Sequence, residues 1–360
     1  MACVPLDQHG GRACGTLSGM SDAVRFGLVG FGFGGRVFHA PLLASADNVD
    51  FVGVVTKSPE RRAELAKERP AVTAFDTIAD LAKAGVEAVA ISTPVTTHAE
   101  LALEAIELGL NVVVDKPFTL DAATAKGVVD AAAAKGVLLS VYQNRRWDSD
   151  LRTVQKLVAD GALGTVRRFE SRFERWAPER KPGAAGGGTL LDFGSHLVDQ
   201  ALLLHGPAAR VYAEMRGNGE LDDDFFAALH HVSGVESHLW GSWRQAAPGP
   251  RFRVSGSSGA YVIDNGMDGQ EALLKAGKSP ATLGERWGVE HEHLWGRVYH
   301  GATSAPVASE RGRWDTYYPA FARAVRGDGP VPVDPADAVR TMTVLDAARQ
   351  SARSGEAVRL

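Results

Sequence analysis

The chain has 360 residues, 45% of them hydrophobic and 23% charged, with a formal net charge of −4. At roughly 150 residues per domain this is a globular protein of about two domains. The slight acidity offers no basic footprint for nucleic acid, and no run approaches the ~18 apolar residues of a membrane span.

Residues 1–22 have no apolar periodicity and hold both cysteines, Cys3 and Cys14. They lack the charged-then-apolar pattern of a secretory signal, so they predict a tail outside the fold and a cysteine-free body suited to a reducing cytoplasm. Val24–Val29 is then a short apolar run ending in Gly30-Phe31-Gly32-Phe33-Gly34-Gly35, followed by a helical segment through Val37 and Leu43. Phe51–Val55 is the next strand, after which Ser58 caps a helix whose first residue is Pro59, where a missing N–H costs nothing. Further strands are expected at Ala88–Ile91, Val112–Val114 and Val137–Val141, spaced by helices at Thr97–Leu108 and Ala122–Ala134. Five apolar runs alternating with helices predict an α/β, doubly wound parallel sheet over residues 23–142.

Beyond Tyr142 the texture changes. After one helix, Leu151–Val158, strands are expected at Val166–Phe173, Val211–Met215, Phe225–His231, His238–Trp243, Phe252–Ser255 and Tyr261–Ile263. Most are too closely spaced for intervening helices, so residues 143–360 predict an α+β domain with a large, mainly antiparallel open sheet. Helices around Tyr317–Arg326 and Pro335–Ser354 close the chain, and without a linker-like segment the two domains should abut.

Glycine is in excess, at 40 residues, and one cluster has an evident use. Gly30-x-Gly32-x-x-Gly35 lies between a strand and a helix, the context of a dinucleotide-binding turn. The first glycine permits the turn, the second admits a pyrophosphate, and the third packs helix on strand. NAD-preferring sites put Asp or Glu at the end of the second strand; here stand Thr56, Lys57 and Ser58, with Arg61 and Arg62 one turn on. Hydroxyls, cations and a helix N-terminus suit an added 2′-phosphate with no carboxylate to oppose it, so NADP is predicted in preference to NAD. A solvated basic first turn is the plain alternative.

Lys116 follows the fourth strand, at the carboxyl edge where doubly wound sheets bind ligands. It could donate to a substrate oxygen, stabilise an alkoxide or relay a proton. A second glycine cluster, Gly186-Gly187-Gly188, leads to Asp192, His196 and Asp199 at i, i+4 and i+7 on one helical stripe. Two readings fit: a carboxylate that orients His196 and favours its protonated form for proton transfer, or a wet helix face with Thr189-x-x-Asp192 as a capping box. Asn144, Arg145 and Trp147 at the domain junction offer hydrogen bonds and an apolar platform for a polyhydroxylated ring, or equally a buried inter-domain network. Arg175, Trp176 and Tyr317 are further candidates for the pocket wall. Neither Glu290-His291-Glu292-His293 nor His230-His231 has metal-ligand spacing, so no metal site is expected.

Several segments together resemble the Gfo/Idh/MocA family over residues 22–360. They are GFGFGGRVFHAPLL, STPVTTHAELALEAIELGLNVVVDKPF, YQNRRWDSD and GGGTLLDFGSHLVDQALLLHG, with Gly269-Gln270-Glu271 and Trp314–Tyr318. NRRWD together with the Thr-Lys-Ser strand end is most similar to the NADP-dependent scyllo-inositol dehydrogenases within it. The resemblance implies NAD(P)-dependent interconversion of a secondary hydroxyl and a ketone on a cyclic polyol or sugar, an inositol-type substrate first among them. It places Lys116 at the lysine of the family's Glu-Lys-Pro motif, and Asp192 and His196 at its Asp-x-x-x-His pair. His196 would be the general base, Lys116 would steer the reacting oxygen, and Asp192 would fix the imidazole and bond the substrate. Asn144, Arg145 and Trp147 complete the implied substrate set.

To the cofactor residues Gly30, Gly32, Gly35, Thr56, Lys57, Ser58 and Arg61 the resemblance adds Phe31, Gly34, Thr93, Pro94, His98, Lys116 and Asn144. Asp115 stands where the motif has glutamate, one methylene shorter. A homo-oligomer joined through the open sheet is also implied. A non-catalytic, dinucleotide-sensing regulator of the same fold and a reductase of another sugar or ring are the alternatives; Lys116, Asp192 and His196 speak for an enzyme.

Overall fold

The computed structural model describes residues 22–179, 187–217, 221–267 and 269–360. Residues 1–21 of the expected tail, with both cysteines, and Gly186 lie outside the described residues. Among the described residues, six strands form a parallel sheet: β1 (Val24–Val29), β2 (Val49–Val55), β3 (Thr73–Phe75), β4 (Ala88–Ile91), β5 (Asn111–Val114) and β6 (Leu139–Val141). Their order is β3-β2-β1-β4-β5-β6, a doubly wound sheet whose direction of winding reverses between β1 and β4. A ligand crevice opens outside the carboxyl ends at such a reversal. β4 and β6 are buried along their whole length, because helices cover both faces. The side chains of Ser58, Thr77 and Asp121 accept from the backbone N–H of Arg61, Asp80 and Thr124, which starts three of those helices.

Local features of this half differ from the sequence expectation. β3 is a sixth strand, three residues at the sheet edge that carry no periodicity to mark them. The segment through Val37 and Leu43 is not one α-helix but a π-helical turn, Gly34–His39, running into a short α-helix, Ala40–Leu43.

A second sheet has nine strands: β7 (Val166–Glu174), β8 (Ala208–Gly217), β9 (Asp222–His231), β10 (Glu236–Ser242), β11 (Phe252–Gly256), β12 (Ala260–Ile263), β13 (Gly296–His300), β14 (Thr303–Val307) and β15 (Val358–Arg359). The order is β14-β13-β12-β11-β7-β10-β9-β8-β15, and among the described residues of this sheet only β7 and β10 pair in parallel. Connectivity explains the exception. A helical crossover sends β8 in the direction of β7, β9 reverses, and β10 reverses again beside β7. The hairpin β13–β14 and the edge strand β15 add to the expected set.

Buried and half-exposed residues alternate along β9 and β10, so one face packs under helices and the other stays open. That open face carries Phe226, His238 and Trp240, with the Arg172 guanidinium 3.9 Å from the Trp240 ring centroid. One continuous apolar cluster runs from Val112 and Ala125 beside the first sheet to Leu197, Phe225 and Leu345 beside the second. The helix Pro335–Ser354 also ties the sheets: Asp346 accepts from the Ala122 N–H at 2.8 Å, and Ser351 Oγ accepts from the Ala213 N–H at 2.9 Å.

Candidate active site

A cavity of about 1250 Å³ lies where the carboxyl ends of β1, β2 and β5 meet the segment Asp192–His196 and the end of β7. The glycine-rich turn is part of its lining. Gly30 has φ +96°, in the left-handed region that favours glycine, and donates its N–H to the Val55 carbonyl at 3.0 Å. A Cβ on Gly35 would strike the Gly30 carbonyl, and one on Gly34 would crowd Ser92 Oγ. Gly30, Phe31, Gly32 and Gly34 line the cavity, whereas Gly35 is the packing glycine behind them. With no side chain at Gly30, Gly32 and Gly34, bare backbone faces the cavity, as a dinucleotide-binding turn requires.

One end is framed by Thr56, Lys57, Ser58 and Arg61. Ser58 caps the helix Pro59–Glu68, and the Arg61 guanidinium donates to the Phe31 carbonyl across the turn. A carboxylate is present after all. Asp76, carried in at the end of the unexpected β3, lines the same end, with the Arg62 guanidinium 2.6 Å away. Arg62 also donates to the Thr56 carbonyl at 2.9 Å, so it serves the wall rather than the cavity.

Along the floor, Thr93 and Pro94 line the cavity, but His98 does not. His98 is buried and braces the loops, with Nε2 2.8 Å from the Thr93 carbonyl and Nδ1 2.9 Å from that of Pro117. Lys116 follows β5, and its Nζ donates to Asp192 Oδ1 at 2.6 Å. The expected single helix is interrupted at Phe193, into Thr189–Asp192 and Gly194–His205. The capping box does not form. Gly188 takes the N-cap, and Asp222 of β9 accepts from the Leu190 N–H at 2.6 Å in its place.

Asp192 is thus committed to Lys116, not to His196. Asp199 points elsewhere too, accepting from Arg146 at 2.8 and 2.6 Å in a buried pair. His196 is 3% exposed and its Nδ1 has no hydrogen-bond partner among the described residues. Burial, reinforced by the positive charges of Lys116, Arg145 and Arg251, pushes its titration well below the ordinary histidine range. The expectation of a protonated imidazole is corrected: without a carboxylate beside it, His196 is held neutral.

Asn144 and Arg145 line the cavity close to this centre. Arg145 donates to Glu271 at 2.5 Å, to the Met267 carbonyl at 2.5 Å and to Asp148 at 3.2 Å. Trp147 does not line the cavity; its ring stands edge-on to Tyr317, 5.6 Å between centroids, and Tyr317 is buried with its hydroxyl on Ser140. Arg175 lines the wall, while Trp176 is exposed outside it. The apolar platform instead comes from Phe173 and Phe193, stacked at 3.7 Å and 6°, with Trp243 beside them. Sequence pattern hid these three because alternating strands and an apolar helix face account for such residues equally well as core. Glu271 and Lys275, an i,i+4 ion pair at 2.5 Å, complete the rim.

The chain resembles known proteins over nearly its whole length. Residues 24–143 match the family described as "Oxidoreductase family, NAD-binding Rossmann fold", and residues 151–262 match the GFO/IDH/MocA C-terminal domain. The chain is 31% identical to the scyllo-inositol 2-dehydrogenase (NADP(+)) IolW of Bacillus subtilis, over 94% of this chain and 96% of that protein. It is 35% identical to the Escherichia coli oxidoreductase YdgJ, over 93% and 98% respectively. The D-apiose dehydrogenase of Paraburkholderia graminis is 26% identical over 92% of this chain and 88% of its own length. Among solved structures, the oxidoreductase yvaA from Bacillus subtilis superposes with a TM-score of 0.88 at 30% identity, covering 94% of this chain and 99% of that one.

Proposed function

Because the chain belongs to the Gfo/Idh/MocA oxidoreductase family, we propose that it is an NADP-dependent dehydrogenase that interconverts a secondary hydroxyl and a ketone on a cyclic polyol or sugar, an inositol before others. One observation carries this reading: Lys116, Asp192 and His196 share one end of a cavity whose other end is framed by the glycine-rich turn and Thr56–Arg61. The dinucleotide, when bound, supplies the hydride acceptor or donor. The protein supplies the rest. In oxidation the neutral imidazole of His196 takes the hydroxyl proton. Lys116 Nζ, held by Asp192, donates to the same oxygen and stabilises the negative charge that develops there. Asn144 and Arg145 bond further hydroxyls, and the Phe173–Phe193 stack covers the C–H face of the ring.

Lys57, Arg61 and the N-terminus of the helix Pro59–Glu68 suit a 2′-phosphate, and Arg62 offsets the charge of Asp76. The name of IolW as an NADP(+) enzyme supports the same preference. On this reading residues 23–142 are the dinucleotide domain and 143–360 the substrate domain. The open face around Phe226, His238 and Trp240 is the surface through which copies of the chain associate, a contiguous aromatic patch of the kind that marks interfaces.

The test is a panel of inositols and aldoses with NADP and NAD, followed by NADPH absorbance, in wild type and in Lys116→Ala and His196→Ala. Turnover of an inositol with NADP is expected, collapsing in both variants while NADPH fluorescence titration stays nearly unchanged. NADP binding without turnover of any polyol would favour a dinucleotide-sensing regulator. Normal turnover in both variants would remove the site assignment.

A further inference from the structure

Two cavity-lining residues, His39 and Asp115, are used neither by proton transfer nor by the 2′-phosphate end. His39 is 1% exposed and closes the π-helical turn Gly34–His39. Such turns are rare and are frequent at functional sites. The turn carries His39 from the glycine cluster down to the cavity floor. There Nδ1 lies 2.5 Å from the Tyr318 hydroxyl, and Nε2 lies 3.1 Å from Asp115 Oδ2 without the alignment of a full hydrogen bond.

Asp115 also accepts from Ser92 Oγ at 2.9 Å and from the Lys116 N–H at 2.8 Å. A carboxylate offers about four acceptor sites, so one remains beyond Ser92, Lys116 and His39. Burial works against the charge of Asp115, but His39 and Lys116 outweigh it and hold the carboxyl at about 2, which leaves it an acceptor only. Beside His39, with 4.4 Å between ring centroids, Tyr142 is 2% exposed and also lines the cavity. Its hydroxyl has no hydrogen-bond partner among the described residues. A carboxylate with acceptor capacity to spare and an unpartnered buried hydroxyl are costly to maintain without a polar ligand.

We propose that His39 is a positioning residue for the nicotinamide riboside half of the dinucleotide: it fixes Asp115 so that the spare acceptor meets a donor there, either the carboxamide N–H or a ribose hydroxyl. The inference rests on the reading of this cavity as a dinucleotide site. Because Asp115 also holds the Lys116 backbone, His39 links the seat of the cofactor to the group that steers the reacting oxygen.

The experiment is calorimetric titration of wild type, His39→Leu, His39→Gln and Asp115→Asn with NADPH, 2′-phospho-ADP-ribose and 2′,5′-ADP. Disordering one hydrogen bond to a charged acceptor predicts about tenfold weaker NADPH binding by His39→Leu and Asp115→Asn. Binding of 2′,5′-ADP, which lacks the riboside, stays as in wild type, and His39→Gln, whose amide can still donate to Asp115, recovers most of the NADPH affinity. The 2′-phospho-ADP-ribose arm identifies the donor: it follows NADPH if a ribose hydroxyl is bound, and 2′,5′-ADP if the carboxamide is. Equal weakening of NADPH and 2′,5′-ADP would show that His39 only shapes the glycine turn, and unchanged NADPH affinity would show no role; either overturns the proposal. A wild-type protein that binds neither NADPH nor NADH overturns the dinucleotide reading and this inference with it. If NADH is the tighter ligand, NADH, ADP-ribose and ADP take the places of the three ligands.

Discussion

At the scale of single residues, the chemistry of His196 is set by what surrounds it rather than by its place on a helix. A free imidazole titrates near ~6.5, and burial among Lys116, Arg145 and Arg251 moves His196 well below that. The direction determines a pH profile. The neutral form, the only one able to accept a proton, persists as pH falls, so the acidic limb of kcat/KM for oxidation should lie below about 6.5. An acidic limb above 7, followed from initial rates across pH, would contradict the assignment of His196 as base. Folding stability follows the same sign: the unfolded chain takes up this proton near 6.5 and the folded one does not, so the contribution of His196 falls as pH drops through that value. The identities of Lys116, Asp192 and His196 were legible from the sequence, but their pairing was not. Spacing placed Asp192 beside His196 on a stripe, whereas the interruption at Phe193 and the reach of a lysine from β5 decide which group the carboxylate meets.

At the scale of elements, the helical turn that carries Asp192 depends on a cap from another strand. Asp222 of β9 accepts from the Leu190 N–H at 2.6 Å, and burial pushes its carboxyl up to about 6 against the pull of that hydrogen bond. A raised acid contributes most to stability below its unfolded value and loses that contribution as pH rises through about 6. Asp222→Asn keeps an acceptor without the charge. Its urea midpoint should therefore gain on wild type between pH 4 and 7, by the equivalent of about 2 kcal/mol. A constant difference across that range would show that Asp222 is not the titrating cap. Elements with strong boundary signals could be read directly. Pro335–Ser354 runs from an Asp-Pro start to a left-handed glycine stop and was expected with the same limits. β3, the π-helical turn and the hairpin β13–β14 could not, because a three-residue strand with no buried residue, an extra residue in one turn and a largely exposed pair of strands leave no hydrophobic period.

At the scale of the whole molecule, the second half is held together by buried ion pairs that the sequence did not reveal. Arg146 donates to Asp199 and also to Asp337 at 3.0 Å, while Arg251 donates to Asp150 at 3.0 Å and to Gln200 at 2.7 Å. These side chains come from the junction segment, the helices Ser149–Ala159 and Gly194–His205, the closing helix and the residue just before β11, and only the three-dimensional arrangement brings them together in two sets of pairs. Removing one member strands its partner's charge. Arg146→Ala should destabilise the protein by about 3–5 kcal/mol, measured by chemical denaturation. Arg146→Ala and Asp199→Ala together should cost less than the sum of the two single changes. Additive losses would mean that the pair carries no coupling energy.

The closing helix has a further consequence. Asp346 and Ser351 on that one rigid rod bind both halves of the molecule, and the apolar core is continuous beneath them. The halves cannot swing apart like a jaw without tearing that core, so the cleft stands open to its ligand as built. The solvent-facing ring of Phe33 stands at its edge. The hydrodynamic radius of the protein should therefore be the same with and without NADPH, which sedimentation velocity would check.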